Sequence, residues 1–377
     1  ATADLTPSAG GVSGGLATIG ANVAVSNADS TAKAAITGSG TITANTVTVK
    51  ADGTATSNAL TQTPSLSANG LKIAANVVVA LLDASNVAQL NGVTVKDAAV
   101  TVEANLNDGD GEGAKATLSS AYGVSMSASL VGLDSNTAVA KNNSHNEASM
   151  NKASVLAPSK ALEVTSTAKS IAIPYVQMDN VSIGYYSMGL TVLKAEANGT
   201  FYALIDTTGA KINVASVDVK TDYTAKAEAM TAPAVGGVVE TSLAAGDVNV
   251  ALAKVGTEAK AGIQGNGTVI ASGAVDVAAE GTATAEAGVA TANVAISGVN
   301  IAANAVTAEL KAKQYAFIED ATIEAAAVTV LSELNKGRTD GAVAKLGPVT
   351  TGSFSATLVG ADTNIAHATA DAISHAY

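Results

Sequence analysis

The amino-acid sequence repeats itself with a period of about 56 residues, a length typical of stacked repeat proteins. An apolar residue closes an Ala-rich run once in every period, namely at Ile36, Leu90, Met150, Leu204, Ile263, Ile318 and Ile373. A pair of alternating apolar residues keeps the same period at Val47/Val49, Val100/Val102, Leu162/Val164, Val217/Val219, Val275/Val277 and Val328/Val330. One unit cannot bury its apolar face alone, whereas stacked units share a continuous core. The period therefore predicts one repeat array rather than several globular domains.

The repeat also predicts the domain organisation. We expect residues 1–377 to form a single continuous segment of a longer array, because the last unit stops shortly after its marker Ile373. The approximate units are residues 8–61, 62–123, 124–178, 179–235, 236–292, 293–349 and a partial unit 350–377.

Alternation within each unit predicts strands rather than helices. In the first unit, small or apolar residues alternate with polar ones from Leu16 to Val25, and a second alternating run covers Thr41 to Ala51. A period of two places the apolar side chains on one face of a strand. The predicted fold is all-β: a β-solenoid, or β-helix, of about seven tandem units with a small-residue core of Ala, Val, Ile and Leu.

The number of coils in each unit is open between one and two. A faint half-period, in which Val77 and Val79 precede Val100 and Val102 by a little under half a unit, favours two coils. At about 4.8 Å per stacked strand, seven units of two coils would be about 65 Å long, and seven units of one broad, flattened coil about 35 Å. We expect two coils per unit.

Composition and charge argue against several classes of function. Apolar residues make up 47% of the chain but aromatic residues only 3%, so the core is thin. A thin core is unsuited to a globular enzyme, in which bulky side chains supply most of the buried area. The formal net charge of -12 and the single arginine, Arg338, argue against a nucleic-acid partner, because phosphate binding needs a clustered basic surface.

The longest charge-free, apolar-leaning stretch runs from Gly288 to Ala308. Its length would suffice for a membrane helix. It contains three asparagines, however, and many β-branched residues in alternation. This pattern is typical of buried strands, and we expect no membrane span.

Three stretches resemble the repeats of large filamentous adhesins of the haemagglutinin and leukotoxin-like type from Gram-negative bacteria. They are GANVAVSNADSTAKAAITGSGTITANTVTVKADGTAT (20–56), AANVVVALLDASNVAQLNGVTVKDAAVTVEA (74–104) and GDVNVALAKVGTEAKAGIQGNGTVIASGAVDVAAEGTATAEA (246–287). The resemblance covers nearly the whole chain and is one of repeat style. It implies a β-solenoid stalk or filament, exported to the cell surface and serving attachment or cell-cell contact. Residues 141–160 depart from the pattern and look like an inserted loop.

The sharpest local motif is acidic. Asp108, Asp110 and Glu112 alternate with glycines, as at the start of a calcium loop, where oxygen ligands converge while the backbone turns tightly. The twelfth position from Asp108 is Ser119, where a helix-loop-helix calcium site has a bidentate Glu. These three residues are a calcium candidate, and a solvated acidic turn is the alternative. No other cofactor is expected.

Aromatic residues concentrate in units three and four. Tyr185, Tyr186, Phe201 and Tyr202 stand where other units have Ala and Val. Aromatic side chains with a polar tip are favoured at contacts with partners, so these four form a candidate binding patch. The alternative is a locally wider core that needs larger fillers.

Catalytic constellations are not evident in the sequence. A catalytic triad would have to use His145, His367 or His375, and acidic residues recur singly at turns rather than as the close pair that glycoside hydrolysis needs. We expect a non-catalytic structural and adhesive module of a large exported surface protein, whose partners are neighbouring repeats and a host or bacterial surface ligand. The alternative is a self-assembling extracellular filament or surface-layer subunit formed by end-to-end copies. A polysaccharide-active β-helix enzyme is the third hypothesis.

Overall fold

The computed structural model describes residues 2–5, 11–62, 65–108, 113–119, 125–177, 180–231, 238–336 and 343–377, and within these ranges all regular secondary structure is β-strand. The all-β prediction is confirmed. The strands are β1 (Thr2–Leu5), β2 (Gly11–Thr37), β3 (Thr41–Thr43), β4 (Thr46–Gly53), β5 (Thr56–Gln62), β6 (Ser65–Asn91), β7 (Thr94–Lys96), β8 (Ala99–Leu106), β9 (Gly113–Ser119), β10 (Ser125–Asn151), β11 (Ser154–Gln177), β12 (Asn180–Asp206), β13 (Lys211–Thr231), β14 (Val238–Val255), β15 (Glu258–Gln264), β16 (Thr268–Ala271), β17 (Ala274–Leu310), β18 (Lys313–Glu319), β19 (Thr322–Glu324), β20 (Ala327–Leu334), β21 (Val343–Ala370) and β22 (Ile373–Ala376).

The strands form two walls. The outbound wall consists of β2, β6, β10, β12, β14 with β15, residues 293–310 of β17 with β18, and residues 353–370 of β21 with β22. We number these outbound stretches as layers 1 to 7. The remaining strand segments make the return wall. Each long outbound strand is followed by a turn, after which the chain runs back along the opposite wall, in an architecture of the β-solenoid type.

Pairing is parallel in both walls and joins residues one full period apart. One row of the outbound wall runs through all seven layers as Val23, Val77, Thr137, Val192, Val250, Ala305 and Ile365. On the return wall, Val102 pairs with Val49 on one side and Val164 on the other. Two coils per unit would instead pair residues about half a period apart, so the expectation of two coils is wrong. The half-period has another origin: Val77 and Val79 lie on the outbound wall, whereas Val100 and Val102 lie on the return wall.

The sequence markers coincide with stacked rows, apart from two. The six Val or Leu pairs of the return wall stack in register, as predicted. Met150, however, pairs with Ile205, not with Leu204, and Ile373 pairs with Lys313, not with Ile318. The Leu204 side chain points outward and is half-buried. An apolar residue in the sequence is therefore not sufficient to identify a position that points into the core.

The core lies between the walls and is made of small side chains, as predicted. One buried cluster contains residues such as Ala80, Leu118 and Ala253, and the other contains residues such as Val102, Val164 and Ile263. Inward amides on the outbound wall lie between the two clusters and reach the return wall. Asn86 Nδ2 donates to Ala51 O at 2.9 Å, Asn146 Nδ2 to Ala104 O at 2.8 Å and Gln314 Nε2 to Ala279 O at 2.5 Å. These bonds tie the walls together without leaving the amide donors unpaired.

A second row of amides runs along the stack. Asn22 donates to Asn76 at 2.9 Å and Asn76 to Asn136 at 2.9 Å; further along, Asn249 donates to Asn304 at 2.9 Å and Asn304 to Asn364 at 2.8 Å. We call this row the asparagine ladder. In layer 4 its place is taken by Thr191, which pairs with Asn136 on one side and Asn249 on the other. Identical amides bond in this way only when adjacent layers are in register.

Large core residues are matched by glycines in the neighbouring layer. Phe201 and Tyr223 are buried and stack at 5.3 Å. Tyr223 pairs with Gly281, where a Cβ atom would overlap the tyrosine ring. Phe317 likewise pairs with Gly262, where a Cβ atom would overlap the phenylalanine ring. The small residue of each pair provides the space that the large one fills.

Most of the expected inserted loop, residues 141–160, is strand. Residues 141–151 belong to β10 and stay in register with β12, and the insertion is confined to a register shift between Ala157 and Ala161 in β11. The stretch looked like a loop because Asn142, Ser144 and Asn146 are polar. These side chains point inward and form hydrogen bonds there, so the expectation is wrong.

Candidate functional site

The structure does not bring the four predicted patch residues together. Phe201 is fully buried in the core, where it acts as the larger filler that the sequence left as an alternative. Tyr202 lies on the outer side of the outbound wall and is half-buried. Tyr185 and Tyr186 are exposed near the start of the layer 4 strand, and they line different cavities.

Tyr202 belongs to a surface cluster in layers 3 to 6 that we call the aromatic-charged face. Its members are His145, Glu147, Thr200, Tyr202, Glu258, Lys260 and Tyr315, which stand on the outer parity of neighbouring strands. The Tyr202 hydroxyl donates to Glu258 at 3.1 Å, and the Lys260 ammonium lies 5.3 Å from the Tyr202 ring and 6.0 Å from the Tyr315 ring. The cluster arises because equivalent positions one period apart become neighbours.

Electrostatics on this face follow from these contacts. The hydrogen bond from His145 lowers the pKa of Glu147, and the contact with Lys260 lowers the pKa of Glu258. Burial, together with the negative charge of Glu258, raises the pKa of Tyr202 to about 12. Tyr202 is therefore a neutral hydrogen-bond donor at physiological pH, and the carboxylates are charged.

One part of the face has the connectivity of a catalytic triad. The Thr200 hydroxyl lies 2.7 Å from His145 Nδ1, and His145 Nε2 lies 3.4 Å from Glu147. An acyl-transfer site also needs hydrogen-bond donors for a developing oxyanion. The strands that carry these residues are paired on both sides, which engages the backbone N–H groups of the wall. The geometry supports a surface hydrogen-bond chain better than a nucleophile.

The return wall has a column of stacked carboxylates. Asp218 pairs with Glu163 in one neighbouring layer and with Asp276 in the other. Burial, and then the two like charges, raise the pKa of Asp218. Lys220 forms an ion pair with Glu280 at 2.7 Å beside the column. Within the described residues, no group of three or more acidic or histidine side chains is arranged to hold a metal ion.

The calcium candidate lies largely outside the described residues. Asp110 and Glu112 are outside them, and Asp108 is exposed just after β8. Asn107 has a left-handed backbone (φ 54°), and its side-chain oxygen accepts a hydrogen bond from Ala55 N at 2.7 Å. The Lys169 ammonium donates to Asp108 O at 2.6 Å. The described part thus shows how the chain leaves the strand, and the calcium hypothesis stays a prediction.

An uncharged surface lies on the outer side of the outbound wall. It comprises the outward rows that begin at Ala17, Ile19, Ala21 and Val23, and we call it the apolar band. Several of its large side chains are well exposed, among them Tyr186 (54%), Met188 (58%) and Ile301 (57%). A cavity of ≈ 280 Å³ opens in the band, lined by residues that include Met188, Gly246 and Ile301.

Two outward rows beyond the last row of the apolar band is a row of alternating charge. Lys141, Glu196, Lys254 and Glu309 follow one another in layers 3 to 6. Lys141 and Glu196 are 3.8 Å apart, as are Lys254 and Glu309. Such partly exposed pairs stabilise the fold by about 0–1 kcal/mol each, but their order gives the surface a defined charge pattern. We call it the alternating charge row.

Tyr185 lines a shallow groove of ≈ 500 Å³ in layers 2 to 5, together with residues that include Leu130, Ile183 and Leu243. Asn69 and Ser242 also line this groove, and neither the amide of Asn69 nor the hydroxyl of Ser242 has a hydrogen-bond partner among the described residues. The polar atoms of both side chains are shielded from solvent, so a ligand in the groove would not reach them in this conformation.

Sequence reasoning missed the clusters of the outer wall because they depend on the offset between layers. His145 and Thr200 lie side by side in adjacent layers, as do Tyr202 and Lys260, and the members of each pair are about one period apart in the sequence. The period contains this signal, but the offset varies by several residues from one layer to the next. Exact neighbours therefore emerge only from the paired strands.

No helix long and apolar enough to cross a membrane occurs in the described ranges. No family model, curated protein or solved structure matches the chain.

Proposed function

We propose that the chain is a closed β-solenoid of seven units of about 56 residues, serving as a non-catalytic structural and adhesive module of a large exported surface protein. The module forms part of a stalk or filament at the cell surface. The observation that carries the proposal is the in-register parallel pairing of every layer with the next. Such pairing makes a rigid body that lengthens by one strand spacing per repeat.

The surface chemistry supports adhesion rather than turnover. The exposed side chains of the walls form repeated rows of apolar, aromatic and charged groups, and a repeated surface provides many equivalent contacts to a partner. The resemblance of the repeats to filamentous adhesins supports export and attachment to the outer surface. It also supports neighbouring repeats of the same long chain as the immediate partners.

The shape of the particle in solution tests the solenoid. An outbound strand of 27 residues spans about 90 Å, and seven layers stack to about 35 Å. A slab of these dimensions and about 20 Å thickness has a radius of gyration of about 28 Å, against about 21 Å for a compact domain of this length. Small-angle X-ray scattering on dilute protein distinguishes the two, and the smaller radius of the compact domain would refute the solenoid.

Adhesion is tested with beads coated with the purified chain and added to bacterial cells and to epithelial monolayers. Beads carrying the heat-unfolded chain are the control, because they have the same composition without the ordered rows. We expect attachment only with the folded chain. Equal attachment of both bead types would refute an adhesive role, and fibres one molecule wide in electron micrographs would favour the alternative of end-to-end assembly.

Glutamate replacement tests the absence of catalysis. The triad-like chain on the aromatic-charged face is the best-formed candidate for an enzyme site, so Glu147→Gln should remove any ester or glycan hydrolysis that depends on it. We expect no hydrolysis by the unmodified chain above the buffer rate. Activity that Glu147→Gln abolishes would overturn the non-catalytic proposal.

A further inference from the structure

The apolar band is an unusual surface because its four rows hold no charged residue in any of the seven layers. The outward row next to the band contains Lys194, and the row after it contains lysines and glutamates in alternation. A contiguous exposed apolar surface rimmed by charges is typical of an interaction site.

The side chains of the band are large in layer 4 and small in layer 5. Layer 4 contributes Tyr186 and Met188, and layer 5 has Ala244 and Gly246 at the equivalent positions. The cavity of ≈ 280 Å³ is lined by these four residues, by Leu133 of layer 3 and Ile301 of layer 6, and by Asp247, which stands between the outward rows. Large side chains therefore project from one layer, and the next layer has space to receive side chains of the same size.

The alternating charge row also differs from layer to layer, as the side-chain sizes do. Reading from layer 3 to layer 6, the alternating charge row is Lys141, Glu196, Lys254 and Glu309. If the order of the layers is reversed, each lysine falls opposite a glutamate. The row is thus complementary to its own inverted copy.

We propose that the apolar band and the alternating charge row form the interface of an antiparallel homodimer, in which two copies face each other across a twofold axis that runs along the strands between layers 4 and 5. This rotation keeps each row opposite itself and reverses the layers. Met188 then enters the space over Gly246 of the other copy, Tyr186 lies over its Ala244, and Glu196 meets its Lys254. A single symmetry operation satisfies both the size and the charge patterns, as an isologous interface requires.

The area is sufficient for a stable dimer. From the first row of the band to the alternating charge row there are ten residue steps of about 3.3 Å. An axis between layers 4 and 5 places layer 2 opposite layer 7 and leaves layer 1 outside the overlap, so six layers overlap and give five spacings of about 4.8 Å. Their product is roughly 790 Å² per copy, which equals the roughly 800 Å² per partner of a standard interface. The interface rests on the solenoid stacking of the proposed function. Antiparallel pairing is also the arrangement of two arrays that extend towards each other from opposing cells.

Charge reversal tests this geometry by sedimentation velocity. The unmodified chain should sediment as a species of twice its 36.7 kDa mass. Lys254→Glu places glutamate against glutamate in the dimer, and Glu196→Lys places lysine against lysine, so each variant alone should self-associate at least tenfold more weakly. Mixed in equal amounts, the two variants restore both opposite-charge contacts and should form a heterodimer.

The matched control is Lys226→Glu on the return wall, which breaks a comparable ion pair with Glu228 and should leave the dimer intact. Gly246→Trp fills the cavity instead of changing charge. A Cβ at this position makes only ordinary contacts of 3.6 Å, so Gly246→Trp should keep its melting temperature and lose dimer. Melting curves establish that each variant is folded.

Three results would overturn the proposal. They are a monomer at every soluble concentration of the unmodified chain, charge variants that remain dimeric alone, and a mixture that stays monomeric while both variants are folded. Each of these can occur with the scattering profile of an extended slab, so the dimer can fail while the solenoid stands.

Discussion

Replacement of Val102 by aspartate tests the assignment of inward and outward positions. Val102 is fully buried between Val49 and Val164 of the adjacent layers. Losing the valine side chain from the core costs about 2 kcal/mol. At pH 7 a buried aspartate also has to be protonated, which costs about 4 kcal/mol for a carboxyl group with an unfolded pKa of about 3.9. The total of about 6 kcal/mol is comparable to the whole stability of a typical domain.

The measurement is the urea midpoint of unfolding by circular dichroism, together with its dependence on pH. Protonation becomes easier at lower pH, so the cost of Val102→Asp should fall by about 2.7 kcal/mol between pH 7 and pH 5. Thr101→Lys is the control, because Thr101 faces outward beside Glu163, and its effect should stay within about 0.5 kcal/mol. Equal destabilisation by the two substitutions, or a cost of Val102→Asp that does not change with pH, would refute the strand parity and the core derived from it.

Three further substitutions probe individual rows. Thr191→Asn completes the asparagine ladder up to Asn249 and should raise the free energy of unfolding by about 1 kcal/mol; a lower urea midpoint would contradict the ladder. Asp218→Asn removes a carboxylate whose pKa is raised in the folded state, so it should stabilise the fold by about 0.2–1 kcal/mol at pH 7. This gain should disappear as the pH falls through the folded pKa, because the native aspartate is then neutral too, and a gain that persists in acid would exclude the electrostatic cause. Gly281→Ala places a methyl group against the Tyr223 ring and should destabilise by about 1–3 kcal/mol. In a Tyr223→Ala background, where the ring is absent, the same glycine substitution should cost less, which thermal melts of the single and double variants measure.

The sequence is sufficient to predict the strands, the period and the composition of the core, because all three depend on alternation and recurrence. The return-wall pairs such as Val47 and Val49 stack where the period places them. The number of coils was not predictable from the half-period, since two facing walls of one coil contain similar alternating strands. Only the pairing offset distinguishes a second wall from a second coil.

Polar residues inside the core were the other source of error. Asn146 looked like part of a loop, but its amide donates to Ala104 O, Ser166 Oγ and Thr167 O across the core. The benefit of burying such a group depends on partners far away in the sequence. Composition cannot reveal those partners. The four residues of the candidate patch do not share one surface for a related reason, because Phe201 and Tyr202 are adjacent in sequence and therefore point to opposite sides of the same strand.

The matched large and small residues of neighbouring layers limit how an array of this kind can change in evolution. Recombination between similar repeats could delete the unit of residues 236–292 without shifting the period. The deletion would remove Gly281 and Lys254 and bring Tyr223 against Leu334 in the core and Glu196 against Glu309 on the surface. Units that look interchangeable in sequence are therefore fixed in their order, and the array is expected to gain or lose repeats only where the adjoining layers are already compatible in size and charge.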